Sequence, residues 1–179
     1  MINNEAVKQS NCIKYLGIYI DSNLSWKPQV EYIAKKIKRS IGLISKLRYY
    51  VNSGILNNLY YTLIYLFLMY GLIAWGNTYQ TTIQPLYLLQ KKIVRIITFS
   101  KFDEHSSPLF KQLNFVKIFD LVTFKISTFM YKYNNNLLPC VFQLFLLQLT
   151  KYMDIAQKQQ QKKSFYLPKA RTNYGKFNI

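Results

Sequence analysis

The stretch KPQVEYIAKKIKRSIGLISKLRYYV, residues 27–51, decides the fold class. Val30, Ile33, Ala34, Ile37, Ile41, Ile44, Leu47 and Val51 recur at spacings of three and four, which brings them onto one face only if the backbone turns every 3.6 residues. The spacing predicts an amphipathic helix from Lys27 to about Val51, with Ser25 as its cap and Pro28 in a first turn that needs no amide donor. Lys35, Lys36, Lys38, Arg39, Lys46 and Arg48 occupy the rest of its circumference, and Glu31 is the only acid from Lys27 through Arg48. Like charges at i, i+4 cost roughly 0.2–0.5 kcal/mol per pair, so a solvated face usually mixes signs. One-signed crowding points to a surface that meets phosphates.

Working outward, residues 13–20 are β-branched and aromatic and predict a strand or one arm of a hairpin, followed by a turn at Asp21-Ser22-Asn23. Gly17 within it suggests a bulge or a close approach by another backbone. On the other side, Asn52-Ser53-Gly54 interrupts the helix, and residues 59–75 carry no charge. That segment reads either as a membrane span near 55–76 or as a helix buried among its neighbours. Tyrosines scattered along it, rather than grouped at its ends, favour burial. Thr82 and Pro85 should open a third helix with a Leu86, Leu89, Ile93, Ile96 and Ile97 stripe, leaving Lys91, Lys92 and Arg95 to project elsewhere. Ser107 and Pro108 should open a short fourth helix, residues 116–133 a fifth, and Pro139 a last one to about Leu149. From Thr150 the composition turns to Gln and Lys, and a basic, partly disordered tail is expected there. The expected fold is mainly α: a small helical bundle with one short N-terminal β-strand or hairpin. Its parts are an N-terminal element at 1–24, a helical region at 25–149 and the tail at 150–179.

Charge sets the choice of partner. The chain has 24 Lys and Arg against 7 Asp and Glu in 179 residues, a formal +17, while half of its residues are apolar and can build a core. Nucleic acid, whether RNA, DNA or their hybrid, is the first expectation, with an anionic membrane surface as the alternative. Cys12 and Cys140 are far apart and match no paired metal-ligand spacing, and Met1 is followed by neither a basic nor an apolar signal region, so an intracellular, unsecreted chain is expected. The seven acids are Glu5, Asp21, Glu31, Asp103, Glu104, Asp120 and Asp154. Their scatter offers no converging carboxylates for a pair of divalent ions, and His105, the only histidine, sits in a polar loop with a capping role as its plain reading. No catalytic or metal-ligating residue is assigned.

Several short runs resemble one family in order and spacing. KYLGIYID (14–21), LSW (24–26) with the helix after it, YGLIAWG (70–76) and LQKKIVRII (89–97) are similar to the region downstream of the catalytic palm in non-LTR, LINE-type, jockey-like retrotransposon reverse transcriptases. HSSPLF (105–110), LLP (137–139) and RTNYGKF (171–177) extend the similarity over most of the chain. The resemblance implies that this chain starts after the palm, whose Asp-Asp motif and Mg ions would lie upstream, so that no cofactor is bound here and the chain is not an RNA-directed DNA polymerase by itself. It places Tyr15, Leu16 and Gly17 in a primer-grip-like strand and the helix from Lys27 in a thumb, with Lys35, Lys36, Lys38 and Arg39 against phosphates. Lys46, Arg48, Lys91, Lys92 and Arg95 complete the expected nucleic-acid-binding set. Two positions depart from the family: Leu66 stands where Pro is frequent, which should straighten the second helix, and Gln29 stands where His is frequent. A small membrane protein and a decayed reading frame without function are the alternatives.

Overall fold

A computed structural model describes residues 10–142, and the helix expected beyond Pro139 and the basic tail fall largely or wholly outside them. The fold is mostly helical with a two-stranded antiparallel hairpin at its N-terminal end, as the sequence predicts. Two compact units divide the chain at Val122.

The hairpin opens the first unit. β1 (Cys12–Tyr15) pairs with β2 (Ile18–Asp21), Lys14 opposite Tyr19 and Tyr15 opposite Ile18. Leu16 and Gly17 are the two turn residues, and both have positive φ, 46° and 81°. A two-residue turn of this hand matches the right-handed twist of its strands. Gly17 therefore serves a turn and not a bulge, and the group that approaches it is the Tyr70 ring, not another backbone.

α1 (Lys27–Leu47) follows, four residues shorter than the periodicity suggests, and buries Gln29, Val30, Ile33, Ala34, Ile37, Ile41 and Ile44. Ser25 is not its cap. Trp26 occupies that position in a left-handed conformation, and the Asp21 carboxylate accepts from the Ser25 and Trp26 amides at 2.9 and 3.0 Å. The acid that ends β2 thereby organises the turn into α1. Burial pushes the Asp21 carboxyl up, but hydrogen bonds from the Ser25 amide and hydroxyl and the Trp26 amide outweigh it and hold the group below its ordinary value. Gln29 is buried as well, and its Oε1 accepts from the Tyr19 amide at 2.9 Å, which pins β2 to α1.

The long apolar stretch is not one helix. α2 (Ser53–Tyr60), capped by the Asn52 side chain, widens into a π-helical turn at Tyr61–Tyr65, continues as α3 (Leu66–Met69), and stops before α4 (Leu72–Trp75). Leu66 thus lies in a segment preceded by a π turn and ended within four residues, contrary to the straight helix expected of it. No helix among the described residues is long and apolar enough to cross a membrane. The break has a physical cause at Gly71, whose φ of 61° favours glycine and where an added Cβ would collide with Ile18 of β2. Trp75, fully buried, donates its indole N–H to the Tyr70 carbonyl at 2.8 Å, and the Tyr70 hydroxyl donates to the Leu16 carbonyl at 2.6 Å.

α5 (Gln80–Ile97) lies beside α1, and the two run in the same direction: Lys27 and Glu31 face Thr82 and Pro85 at one end, Ile41 and Ser45 face Leu89 and Ile96 at the other. Tyr79 precedes α5 without a side-chain cap, so Thr82 is not the cap, and Pro85 is its sixth residue rather than part of its opening turn. The buried face is Ile83, Leu86, Gln90, Ile93, Val94 and Ile97, with Leu89 and Ile96 only partly covered. α6 (Ser106–Gln112) starts one residue before the expected Ser107, with His105 at its cap position making no side-chain cap bond. α7 (Ile118–Asn134) follows, and a further helical turn starts at Cys140, directly after Pro139 as expected.

Gln90 is the polar centre of this unit. Its amide donates to the Tyr60 hydroxyl at 2.9 Å and the Val116 carbonyl at 3.1 Å, while its Oε1 accepts from the Ile118 amide at 2.8 Å. That amide is among the first of α7, which have no partner within the helix. One side chain of α5 therefore ties down α2 and the entry to α7. Tyr60 stacks on Phe115 with centroids 3.9 Å apart. In the second unit, the remaining residues of α7 end at an Asn136 cap, and Phe129 meets Phe142 edge to face.

Two outcomes follow for stability. Gln90→Leu strands a buried hydroxyl, a carbonyl and an amide, and at about 1–3 kcal/mol per unsatisfied group should cost roughly 3 kcal/mol or more, read as a fall in the urea midpoint. Burial pushes the Tyr60 phenol from 10.0 up to about 12, so its contribution is complete below pH 10 and is lost as pH rises through 12. Wild type should lose about 2 kcal/mol relative to Tyr60→Phe over that interval.

Candidate nucleic-acid interface

The helical period that buries Ile33, Ile37 and Ile44 turns Lys35, Arg39 and Lys46 to the opposite side of α1, where all three are exposed. Lys38 lies on the flank toward α5. Lys35 and Lys46 are eleven residues apart, about 16 Å along the axis at 1.5 Å per residue, the rise of roughly five base pairs. Among the described residues no carboxylate pairs with Lys35, Lys38, Arg39, Lys46 or Lys92.

Between α1 and α5 runs an open groove of about 360 Å³, lined by Lys38, Ile41, Gly42, Ser45, Leu89, Lys92 and Ile96. Lys38 and Lys92 flank it, and the space over Gly42 is open. The lysine of α5 thus joins the basic face of α1 across a trough lined by Ile41, Ser45, Leu89 and Ile96 and left open at Gly42. The trough sets positive charge on both rims against apolar walls.

The other expected contacts are partly engaged within the chain. Arg95 donates through Nε and Nη2 to the Glu104 carbonyl at 3.0 and 2.8 Å and lies over the Phe102 ring, fastening the 101–105 loop. Arg48 is half-buried between the Tyr49 and Phe99 rings. Lys91 sits over Tyr87 at 4.6 Å, and Lys36 over Tyr32 at 5.6 Å. Lys36 belongs to a second cluster, for Tyr32 also packs on Tyr19 at 5.1 Å and Lys14 approaches both rings. Sequence reasoning missed Lys14, Tyr19 and Tyr32. Reading Leu16-Gly17 as a two-residue turn would have fixed the Lys14–Tyr19 pairing and revealed them.

Tyr15, Leu16 and Gly17 form the end of the hairpin, with Tyr15 and Leu16 exposed, rather than a continuous strand. Behind the turn a cavity of about 310 Å³ is lined by Gly17, Gln29, Tyr32, Ile33, Leu66, Phe67 and Tyr70. Among the described residues no three His, Cys, Asp or Glu side chains are placed to hold a metal ion.

No protein-family model matches this sequence, and neither a curated protein nor a solved structure is similar to it. The fold and the surface chemistry carry the functional reading.

The division of labour among the cations has a measurable consequence. Arg95→Ala removes two charge-assisted hydrogen bonds and a ring contact and should cost about 1–2 kcal/mol in thermal or urea unfolding. Lys35→Ala touches nothing and relieves repulsion from Arg39, so stability should stay within about 0.5 kcal/mol of wild type or rise.

Proposed function

We propose that this chain is the non-catalytic thumb and post-thumb region of a non-LTR, LINE-type reverse transcriptase, which binds template–primer nucleic acid through basic helices. The single observation that carries the binding reading is the exposed, one-signed line of Lys35, Lys38, Arg39 and Lys46 on α1, joined by Lys92 across the groove. The order of the KYLGIYID, YGLIAWG and LQKKIVRII runs supports the family reading, and the hairpin, the Tyr70–Gly71 break and α5 give each run a structural job. Polymerase chemistry would reside in a palm outside this chain, with its Mg ions held by that palm's carboxylates, and the setting would be intracellular. Contacts of this kind fix the position of a duplex and leave its sequence unread.

Salt dependence tests the proposal. Five phosphate contacts predict a slope of about −4.5 in log K against log salt, a loss of roughly 500-fold between 50 and 200 mM. Fluorescence anisotropy with a labelled RNA–DNA hybrid should show that slope for the full chain. The K35A/K38A/R39A/K46A variant should keep its far-UV circular dichroism and flatten the slope to about −1. No binding at low salt, binding indifferent to salt, or a quadruple variant that binds as wild type does would each sink the proposal.

A further inference from the structure

Because α1 and α5 run in the same direction, the ends of both helices meet at one end of the bundle, and an unusual set of rings gathers there. Arg48 has its guanidinium 4.7 Å from the Tyr49 centroid and 4.8 Å from the Phe99 centroid, and the two rings meet edge to face at 6.1 Å. Tyr49 is 69% exposed, Phe99 55%, and Tyr50 and Phe102 are 86% exposed each. A surface normally carries single exposed apolar side chains; Tyr49 and Phe99 instead adjoin, both more than half exposed, and mark a surface that meets something.

Phe99 occupies a position that costs stability to fill with a large residue. α5 ends with Phe99 donating to the Ile96 carbonyl and Ser100 donating to the Arg95 carbonyl, the closure that places its central residue in the left-handed region. Phe99 has φ of 56°. The same closure ends α6 at Asn114 and α7 at Asn136, and there the left-handed residue is an asparagine, which tolerates it. The phenylalanine stays 55% exposed, so burial offsets little of that cost. Strain of this sort at an exposed ring points to use of the ring itself.

Charge decides what the rings receive. Lys46 lies one turn before Tyr49 on the basic face, Arg48 sits between the Tyr49 and Phe99 rings, and Arg95 lies over the nearby Phe102. Asp103 and Glu104 lie on the adjoining loop, and the Arg95 guanidinium is held by the Glu104 carbonyl. The buried Arg48 Nε has no hydrogen-bond partner in the structure. Flat apolar faces interleaved with guanidinium groups, continuous with a phosphate-facing helix, match a strand whose bases are unpaired. We infer that Tyr49 and Phe99 form a stacking platform for unpaired nucleobases where a single strand leaves the α1 face. This rests on the nucleic-acid reading of α1 and adds to it a second, base-contacting site.

The test compares three probes on the full chain: a blunt RNA–DNA hybrid, the same hybrid with a single-stranded uridine overhang of about six nucleotides, and that overhang made abasic. The base-bearing overhang should bind about tenfold or more tighter than the blunt hybrid, and the abasic one should lose most of that gain although it keeps every phosphate. Phe99→Gly and Tyr49→Ala should each abolish the gain and leave the blunt-duplex affinity and its salt slope unchanged. Phe99→Gly should also keep or raise the melting temperature, since glycine suits the left-handed cap, so lost binding would not reflect lost folding. An abasic overhang as good as the natural one, or a Phe99→Gly variant that retains the gain, overturns the platform. So does a concentration-dependent dimer in sedimentation that Phe99→Gly dissolves, because the rings would then cover a second copy of the chain. Should the blunt hybrid fail to bind while the overhang still binds through its bases, the duplex reading falls and the platform stands.

Discussion

Gln90 holds a carboxamide in a site where water cannot reach it, and three parts of the fold hang on its hydrogen bonds. The side chain is fully buried on α5 yet meets the Tyr60 hydroxyl of α2, the Val116 carbonyl and the first amide of α7. A buried amide with open valences costs several kcal/mol, so the three segments are constrained to bring their polar atoms to it. Apolar packing by itself would let α2 and the entry to α7 slide; directional bonds to one centre set their register. Tyr60, stacked on Phe115, is the apolar half of the same junction.

A second, smaller junction sets the hairpin on this frame. Asp21 gathers the Ser25 and Trp26 amides, Gln29 receives the Tyr19 amide, and the Tyr70 hydroxyl reaches the Leu16 carbonyl at the turn. Each bond crosses from one element to another, and each satisfies a backbone group that would otherwise compete for water. Gly71 makes the last contact possible, since its left-handed backbone breaks the apolar stretch and leaves room for Ile18. The segment that looked most like a membrane span is therefore broken to seat the hairpin.

The surface follows from what the core consumes. Arg48 and Arg95 stand among rings and a backbone carbonyl within their own chain, whereas Lys35, Lys38, Arg39, Lys46 and Lys92 project from helices without an acidic partner among the described residues. Arginine suits the first role, having a planar, weakly hydrated head that stacks and makes forked hydrogen bonds; lysine, a compact hydrated charge, mostly fills the second. The basic face is thus narrower than the count of Lys and Arg implies, and it ends where the Tyr49 and Phe99 rings begin.

The sequence by itself determined the helices and the sign of the surface. Apolar spacing at 3.6 residues marked α1 and its buried face nearly residue by residue, and the one-signed charges between Lys35 and Lys46 needed no partner to be legible, because period and charge are local properties. Only the tertiary structure decided the rest. Gln29 and Gln90 look like surface residues in the sequence, and both are buried because their hydrogen-bond partners come from segments about ten and about thirty residues away. Asp21 replaced Ser25 at the start of α1, and the apolar stretch after Asn52 was divided at Gly71, for the same reason: a long-range contact outweighed a local preference. The groove of Lys38 and Lys92 and the cluster of Arg48, Tyr49 and Phe99 exist only because α1 and α5 lie side by side in one direction, and no spacing within either helix encodes the direction of its neighbour.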